Sequence, residues 1–197
     1  MIDTYNTISN KSIGEGFYSE KRSKFLAFTH HVENAEQAIE IVKQYKKKYY
    51  GARHCCYAYR IGYKGEEFRV NDDGEPSSTA GKPILGQLLS NNLTFTLICV
   101  IRYFGGVKLG TSRLIVAYKQ AAIYGIKNSI IEKKYIERII TYRFSFYMLN
   151  SVMKIVKEFK PKIINQTFDN ECSITLSIRI SLAAQLESCL NKLTFNK

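Results

Sequence analysis

Five consecutive apolar residues, Leu97-Ile98-Cys99-Val100-Ile101, constrain the fold of this chain more than any other feature. A strand with one wet face alternates apolar and polar residues, because successive side chains point to opposite sides of the sheet. Here both sides are apolar, so Leu93 to Tyr103 is expected as a central strand covered on both faces. At five residues the run is far below the ~18 needed to span a bilayer. The core must therefore be layered, and the rest of the chain has to supply the covering elements.

Those elements are legible. Gly16 to Glu20 and Lys24 to Val32 read as strands. Asn34 opens a helix carrying Ala35, Ala38, Ile39, Val42 and Tyr45 at helical spacing. Lys46, Lys47 and Lys48 close it, where three cations suit the negative end of the helix dipole or form a binding patch. Arg53 to Ile61 and Glu66 to Val70 read as a hairpin, and Asn71 to Pro76 as a turn. Ala80 to Leu89 is a short helix, and after a glycine-rich corner Leu114, Ala117, Tyr118, Ala121, Ala122 and Gly125 mark a longer one.

A second rhythm follows. Tyr135 to Tyr147 reads as a long strand, and Asn150 or Ser151 as the cap of a helix bearing Val152, Ile155, Val156 and Phe159. Lys162 to Phe168 and Cys172 to Ile180 are strands around an Asp169-Asn170 turn. Leu182, Leu186, Cys189, Leu190 and Leu193 stripe a last helix, with a final short strand expected at Leu193 to Asn196. The order β-α-β-β-α is that of a ferredoxin-like plait. The expected fold class is α+β: an α/β sandwich over residues 1–130 and a ferredoxin-like domain over 134–197.

Composition enters through charge. The chain has 29 Lys+Arg against 17 Asp+Glu, a net charge of +12. Residues 1–130 carry +7 and residues 131–197 carry +5, so both units are basic and no basic tail is evident. A polyanion such as nucleic acid is the partner class this implies. Met1 to Ile13 lacks a positive stretch followed by an apolar one, so a cytoplasmic setting is expected, with no membrane partner. The five cysteines lack CxxC spacing, which disfavours a disulfide framework and a zinc site. Neither a metal nor a cofactor is expected.

Two segments carry candidate chemistry. Asn71-Asp72-Asp73-Gly74-Glu75-Pro76 packs three carboxylates into one turn, which repel unless a metal ion, Arg or Lys sits among them. With His54 they read either as an acid/base or divalent-metal cluster, or as a solvated turn in which Asp side chains bond their own backbone and Glu75 caps the next helix. The spacing of a calcium loop is not met, because Asp72 and Asp73 are adjacent. The second segment, Arg102 to Ser112, runs from the apolar strand through Gly105, Gly106 and Gly110 into a helix. Free backbone N–H groups and the positive helix end then meet near Arg102, Lys108 and Arg113, which favours an anion; a tight packing corner is the alternative. Thr111 stands where a P-loop requires Lys, so a Walker-type NTPase is excluded.

Arg53-His54-Cys55-Cys56-Tyr57-Ala58-Tyr59-Arg60, Asp72-Asp73-Gly74-Glu75-Pro76 with Thr79-Ala80-Gly81-Lys82-Pro83-Ile84-Leu85, and Arg102 to Gly110 together resemble the signature of the IMPACT/YigZ family, as does the opening Lys21-Arg22-Ser23-Lys24-Phe25. The resemblance covers residues 3–125 densely. It implies an N-terminal domain like the second domain of a small-subunit ribosomal protein and a C-terminal domain like the last domain of elongation factor G. The chain departs from the family pattern at Ser78, commonly Gly, at Ser112-Arg113, commonly Gly-Gly, and at Val116, often basic. The N-terminal interaction domain of the eukaryotic type is not matched.

The resemblance implies a non-enzymatic, translation-associated regulator that binds RNA or the ribosome. Arg53, Arg60, Arg102, Lys108 and Arg113, with Gly105, Gly106 and Gly110, are its candidate anion-binding residues, and some of the 14 tyrosines are candidates for stacking on unpaired bases. The competing reading is a hydrolase acting on a phosphorylated or anionic small molecule through His54, Asp72, Asp73 and Glu75. It requires both segments to meet in one pocket. A protein partner recognising the acidic turn is the third reading.

Overall fold

The computed structural model describes residues 3–169 and 171–195. Contacts divide the chain into two units, Tyr5–Lys134 and a second made of Tyr135–Lys197 with the N-terminal residues up to Thr4.

The first unit runs β1 (Thr4–Ile8), β2 (Gly14–Glu20), β3 (Ser23–His31), α1 (Ala35–Lys48), β4 (His54–Ile61), β5 (Glu67–Asn71), α2 (Gly81–Ser90), β6 (Thr96–Tyr103), α3 (Thr111–Lys127) and β7 (Ile131–Tyr135). Its main sheet has the order β2-β3-β6-β4-β5, antiparallel throughout. The apolar run lies on β6, at the centre. Ile98 and Val100 join a core with Leu88 of α2 and Tyr118 of α3, while Leu97, Cys99 and Ile101 join one with Val42 and Tyr45 of α1. The two-sided coverage demanded by the sequence is met by helices on both faces. β1 and β7, neither of which the periodicity revealed, form a separate two-stranded sheet.

Asn34 caps α1 as expected, its side chain accepting from the Gln37 N–H. Helix α3 presses directly on β2. A Cβ on Gly16 would lie 2.4 Å from the Gly125 backbone nitrogen, so hydrogen alone fits where these backbones meet.

The second unit contains β8 (Glu137–Phe144), a 3₁₀ turn (Phe146–Met148), α4 (Leu149–Phe159), β9 (Lys162–Phe168), β10 (Cys172–Arg179) and α5 (Ile180–Phe195). Its antiparallel sheet has the order β8-β10-β9, as in a ferredoxin-like plait. Ile140, Tyr142, Ile174 and Leu176 face Val152 and Val156 of α4 and Leu186 and Leu190 of α5.

Three local expectations change. The strand drawn from Tyr135 to Tyr147 is two strands and a 3₁₀ turn, because Ile136 leaves the ladder to bond Asp3 and Ile180 through its backbone. Asn150 and Ser151 do not cap α4; the 3₁₀ turn leads into the helix, and Met148 is the boundary residue. No strand begins at Leu193, since the helical stripe continues and Leu193 packs on the core of its unit. Asn170 and Asn196 of the expected turn and strand lie outside the described residues.

All five cysteines are free thiols, four of them buried. No helix among the described residues is long and apolar enough to cross a membrane.

His30 is a half-buried titratable group packed against Tyr45 of α1. Its Nε2 lies 2.7 Å from the Tyr45 hydroxyl, and burial lowers its pKa from 6.5 to about 4. The folded state thus binds this proton only near pH 4, whereas the unfolded chain takes it up around 6.5. Stability from this group is present above pH 6.5 and is lost as pH falls from 6.5 towards 4. The melting temperature should therefore drop over that window, and His30→Gln should shrink the drop; an unchanged pH profile in that variant would exclude His30 as its source.

Candidate functional site

Side-chain alternation places the next even-numbered residue of β6, Arg102, on the α3 face after Ile98 and Val100. His54 is its direct cross-strand partner on β4. The acidic turn folds over these two residues. Glu75 accepts from Tyr118 of α3 at 2.7 Å and pairs with Arg102 Nη1 at 2.6 Å, with both groups buried. Arg102 also lies 5.5 Å from the Phe25 ring centre and 5.7 Å from that of Phe104. An ion pair so deep is expensive to desolvate, and hydrogen bonds from Tyr118 and to Ser23 help to offset that cost.

The other two carboxylates are also engaged. Asp72 accepts from the N–H groups of Ser78, Ala80 and Gly81, so it caps α2 from eight residues away. Glu75 is therefore not the cap. Asp73 accepts from the Cys55 N–H and pairs with Lys46. The cations required among three clustered carboxylates are Arg102 and Lys46. Positive φ at Asp73 and Gly74, with a hydrogen bond from the Glu75 N–H to the Asp72 carbonyl, gives the tight Asp-Gly turn that holds these groups apart.

His54 is anchored through one ring nitrogen. Its Nδ1 lies 2.8 Å from the Asp73 carbonyl, which only accepts, so Nδ1 carries the proton. Its Nε2 lies 3.9 Å from the Glu75 carboxylate.

Both candidate segments line one cleft of about 360 Å³. His54, Glu75 and Pro76 contribute one side, and Arg102, Phe104 and Lys108 come from the end of β6 and the corner. Gly110 and Thr111 bring the start of α3, which has no side-chain cap. Arg53 completes the rim, its guanidinium 5.8 Å from the Phe104 ring centre. Arg53 and Lys108 are exposed and form no ion pair among the described residues, so they supply uncompensated positive charge. The arrangement is suited to holding an anion beside a flat apolar surface.

Arg60 lies elsewhere. It bonds the carbonyls of Lys64, Gly65 and Leu93 and closes the β4–β5 hairpin. Arg113 is exposed on the first turn of α3 and does not line the cleft. Gly105 and Gly106 do not line it either; a Cβ on Gly105 would lie 2.1 Å from the Arg22 backbone carbon, so this glycine is a packing corner. Sequence reasoning missed Tyr118, Phe104 and Lys46. The first marked only the spacing of a helix, although a tyrosine in an apolar stripe still needs a partner for its hydroxyl.

The Impact N-terminal domain family model matches residues 21–126, more than half of the chain. The chain belongs to the IMPACT family. IMPACT family member YvyE of Bacillus subtilis is 38% identical over 68% of this chain and 61% of its own length. IMPACT family member YigZ of Escherichia coli is 28% identical over 85% of this chain and 82% of its own. An IMPACT family member of Haemophilus influenzae is 30% identical over 80% and 78%, respectively. A crystal structure of a hypothetical protein has a TM-score of 0.72 at 22% identity, covering 100% of this chain and 96% of that one, which shows the two-unit fold. The family match spans the whole cleft, from the turn before Ser23 through α3.

Glu75→Ala would leave the Arg102 guanidinium buried without a counter-charge, and a loss of about 3–5 kcal/mol is expected. Glu75→Leu combined with Arg102→Met should recover most of it. Urea denaturation checks both variants, and a single variant within about 1 kcal/mol of the parent would exclude the pair as the organiser of the site.

Proposed function

We propose that the protein is a non-enzymatic, translation-associated regulator that binds RNA or the ribosome, with the cleft of the first unit as one phosphate-recognising contact. The convergence of Arg53, Lys108 and the uncapped start of α3 on one cleft carries the reading. The net charge of +12 supports it, as does the exposed Phe104 ring beside Arg53, a surface on which an unpaired base can stack. The link to translation comes from the family resemblance of the motifs around this cleft. A cytoplasmic location goes with it.

A hydrolase acting on a phosphorylated small molecule is the second reading, favoured by the His54 imidazole at the cleft, 3.9 Å from the Glu75 carboxylate. In that reading His54 is the base and Glu75 its neighbour, while Asp72 and Asp73 are held in structural bonds. Phosphate release from a panel of phosphomonoesters, abolished in His54→Ala, would favour it over the regulator.

Titration with single-stranded RNA at a series of salt concentrations tests the first reading. Affinity should fall as salt rises, with a log–log slope of about −0.7 for each phosphate contacted. Arg53→Ala and Lys108→Ala should each flatten the slope by roughly that amount. An absence of binding, or binding without a salt slope, would overturn it.

A further inference from the structure

We infer that this cleft is a subsite for one nucleotide bearing a terminal phosphomonoester, free or at the end of a strand, with its base against Phe104 and its phosphate between Arg53, Lys108 and the start of α3. The inference deepens the phosphate-recognition reading and rests on it. Five observations carry it. The cavity, about 360 Å³, falls at the small end of the ~300–1,000 Å³ typical of small-ligand sites, room for one nucleotide unit rather than a duplex. Its apolar side is formed by Phe104, Pro76, Leu109 and Leu114, and Phe104 is 41% exposed.

The charge is also apportioned. Glu75 neutralises Arg102, so the net positive charge of the lining comes from Arg53 and Lys108, to which α3 adds the N–H groups of an uncapped first turn. Two cations and a helix start match a dianionic monoester better than the single charge of a diester. Arg102 itself lines the cleft, is 5% exposed, and its Nε has no hydrogen-bond partner among the described residues. His54 also lines the cleft, with Nδ1 held by the Asp73 carbonyl, so that its Nε2 is left to hydrogen-bond a ribose hydroxyl. A flat ring, hydroxyl groups and a doubly charged anion in one small ligand describe a ribonucleotide.

Calorimetric titration of the full chain with adenosine 5′-monophosphate, adenosine and inorganic phosphate provides the test. The monophosphate should bind at least tenfold tighter than either fragment. Lys108→Ala should bring it down to the affinity of adenosine, and Phe104→Ala to that of phosphate. Both positions are exposed, and an unchanged melting temperature would show that the variants remain folded. A 5′-phosphorylated RNA octamer and its 5′-hydroxyl counterpart separate the sources. Preference for the phosphorylated octamer over the free monophosphate assigns a strand end; the reverse order assigns a free nucleotide. Equal binding of adenosine and its monophosphate, or indifference to both substitutions, would overturn the subsite. RNA binding that ignores the terminal phosphate would overturn it while leaving the RNA reading intact. Nucleotide binding without RNA binding would do the opposite.

Discussion

The buried pair between Glu75 and Arg102 is the interaction on which the site depends. It joins four parts of the first unit: the turn after β5, the end of β6, α3 through Tyr118, and the start of β3 through Ser23. Desolvating both charges costs several kcal/mol each, so the pair adds little net stability beyond what a well-packed apolar pair supplies. The pair's contribution is therefore positional. A carboxylate with three neighbours of fixed geometry allows the turn only one placement, and that placement puts His54 and Phe104 on the same cleft.

This pairing also changes the meaning of the net charge. The acidic turn does not create a negative patch on a basic protein, because each carboxylate is taken up by a cap, a lysine or an arginine. Lys46, which the sequence presents as one of three cations ending α1, is drawn into the turn instead. The charge left to act on a ligand is local: Arg53 and Lys108 on the rim, not the buried Arg102.

Much of this was legible in the chain because it depends on short-range period. The absence of alternation in Leu97 to Ile101 required two covering layers, and α1, α2 and α3 provide them. The helical stripes and hairpins, set by spacing of two or about 3.6, were found close to their observed limits. What escaped depends on long-range partners. β1 and β7 are over 120 residues apart and too short to show a period. Asp72 caps a helix that begins nine residues later, and no local capping signal marks it. Arg60 looked equivalent to Arg53, yet hairpin carbonyls consume one and leave the other free, a difference set by loop geometry. The convergence of the turn and the glycine corner came from strand register, which pairs His54 with Arg102.

The departures from the family pattern follow the same division between cleft and exterior. Ser78 stands where family members commonly carry Gly, and its φ of +64° is a conformation that costs a non-glycine residue about 1 kcal/mol. Its N–H donates to Asp72 at 2.8 Å, and this bond helps to hold the backbone there. Ser112, Arg113 and Val116 lie on exposed positions of α3, with none in the cleft lining. Thr111 and Leu114, between and beside them, do line it. Helical geometry accounts for the split: residues three apart share a face, so 111 and 114 turn towards the cleft while 112, 113 and 116 turn outward. The substitutions therefore alter the outer surface of α3, where Arg113 adds charge in place of glycine, and leave the residues that would meet an anion in position.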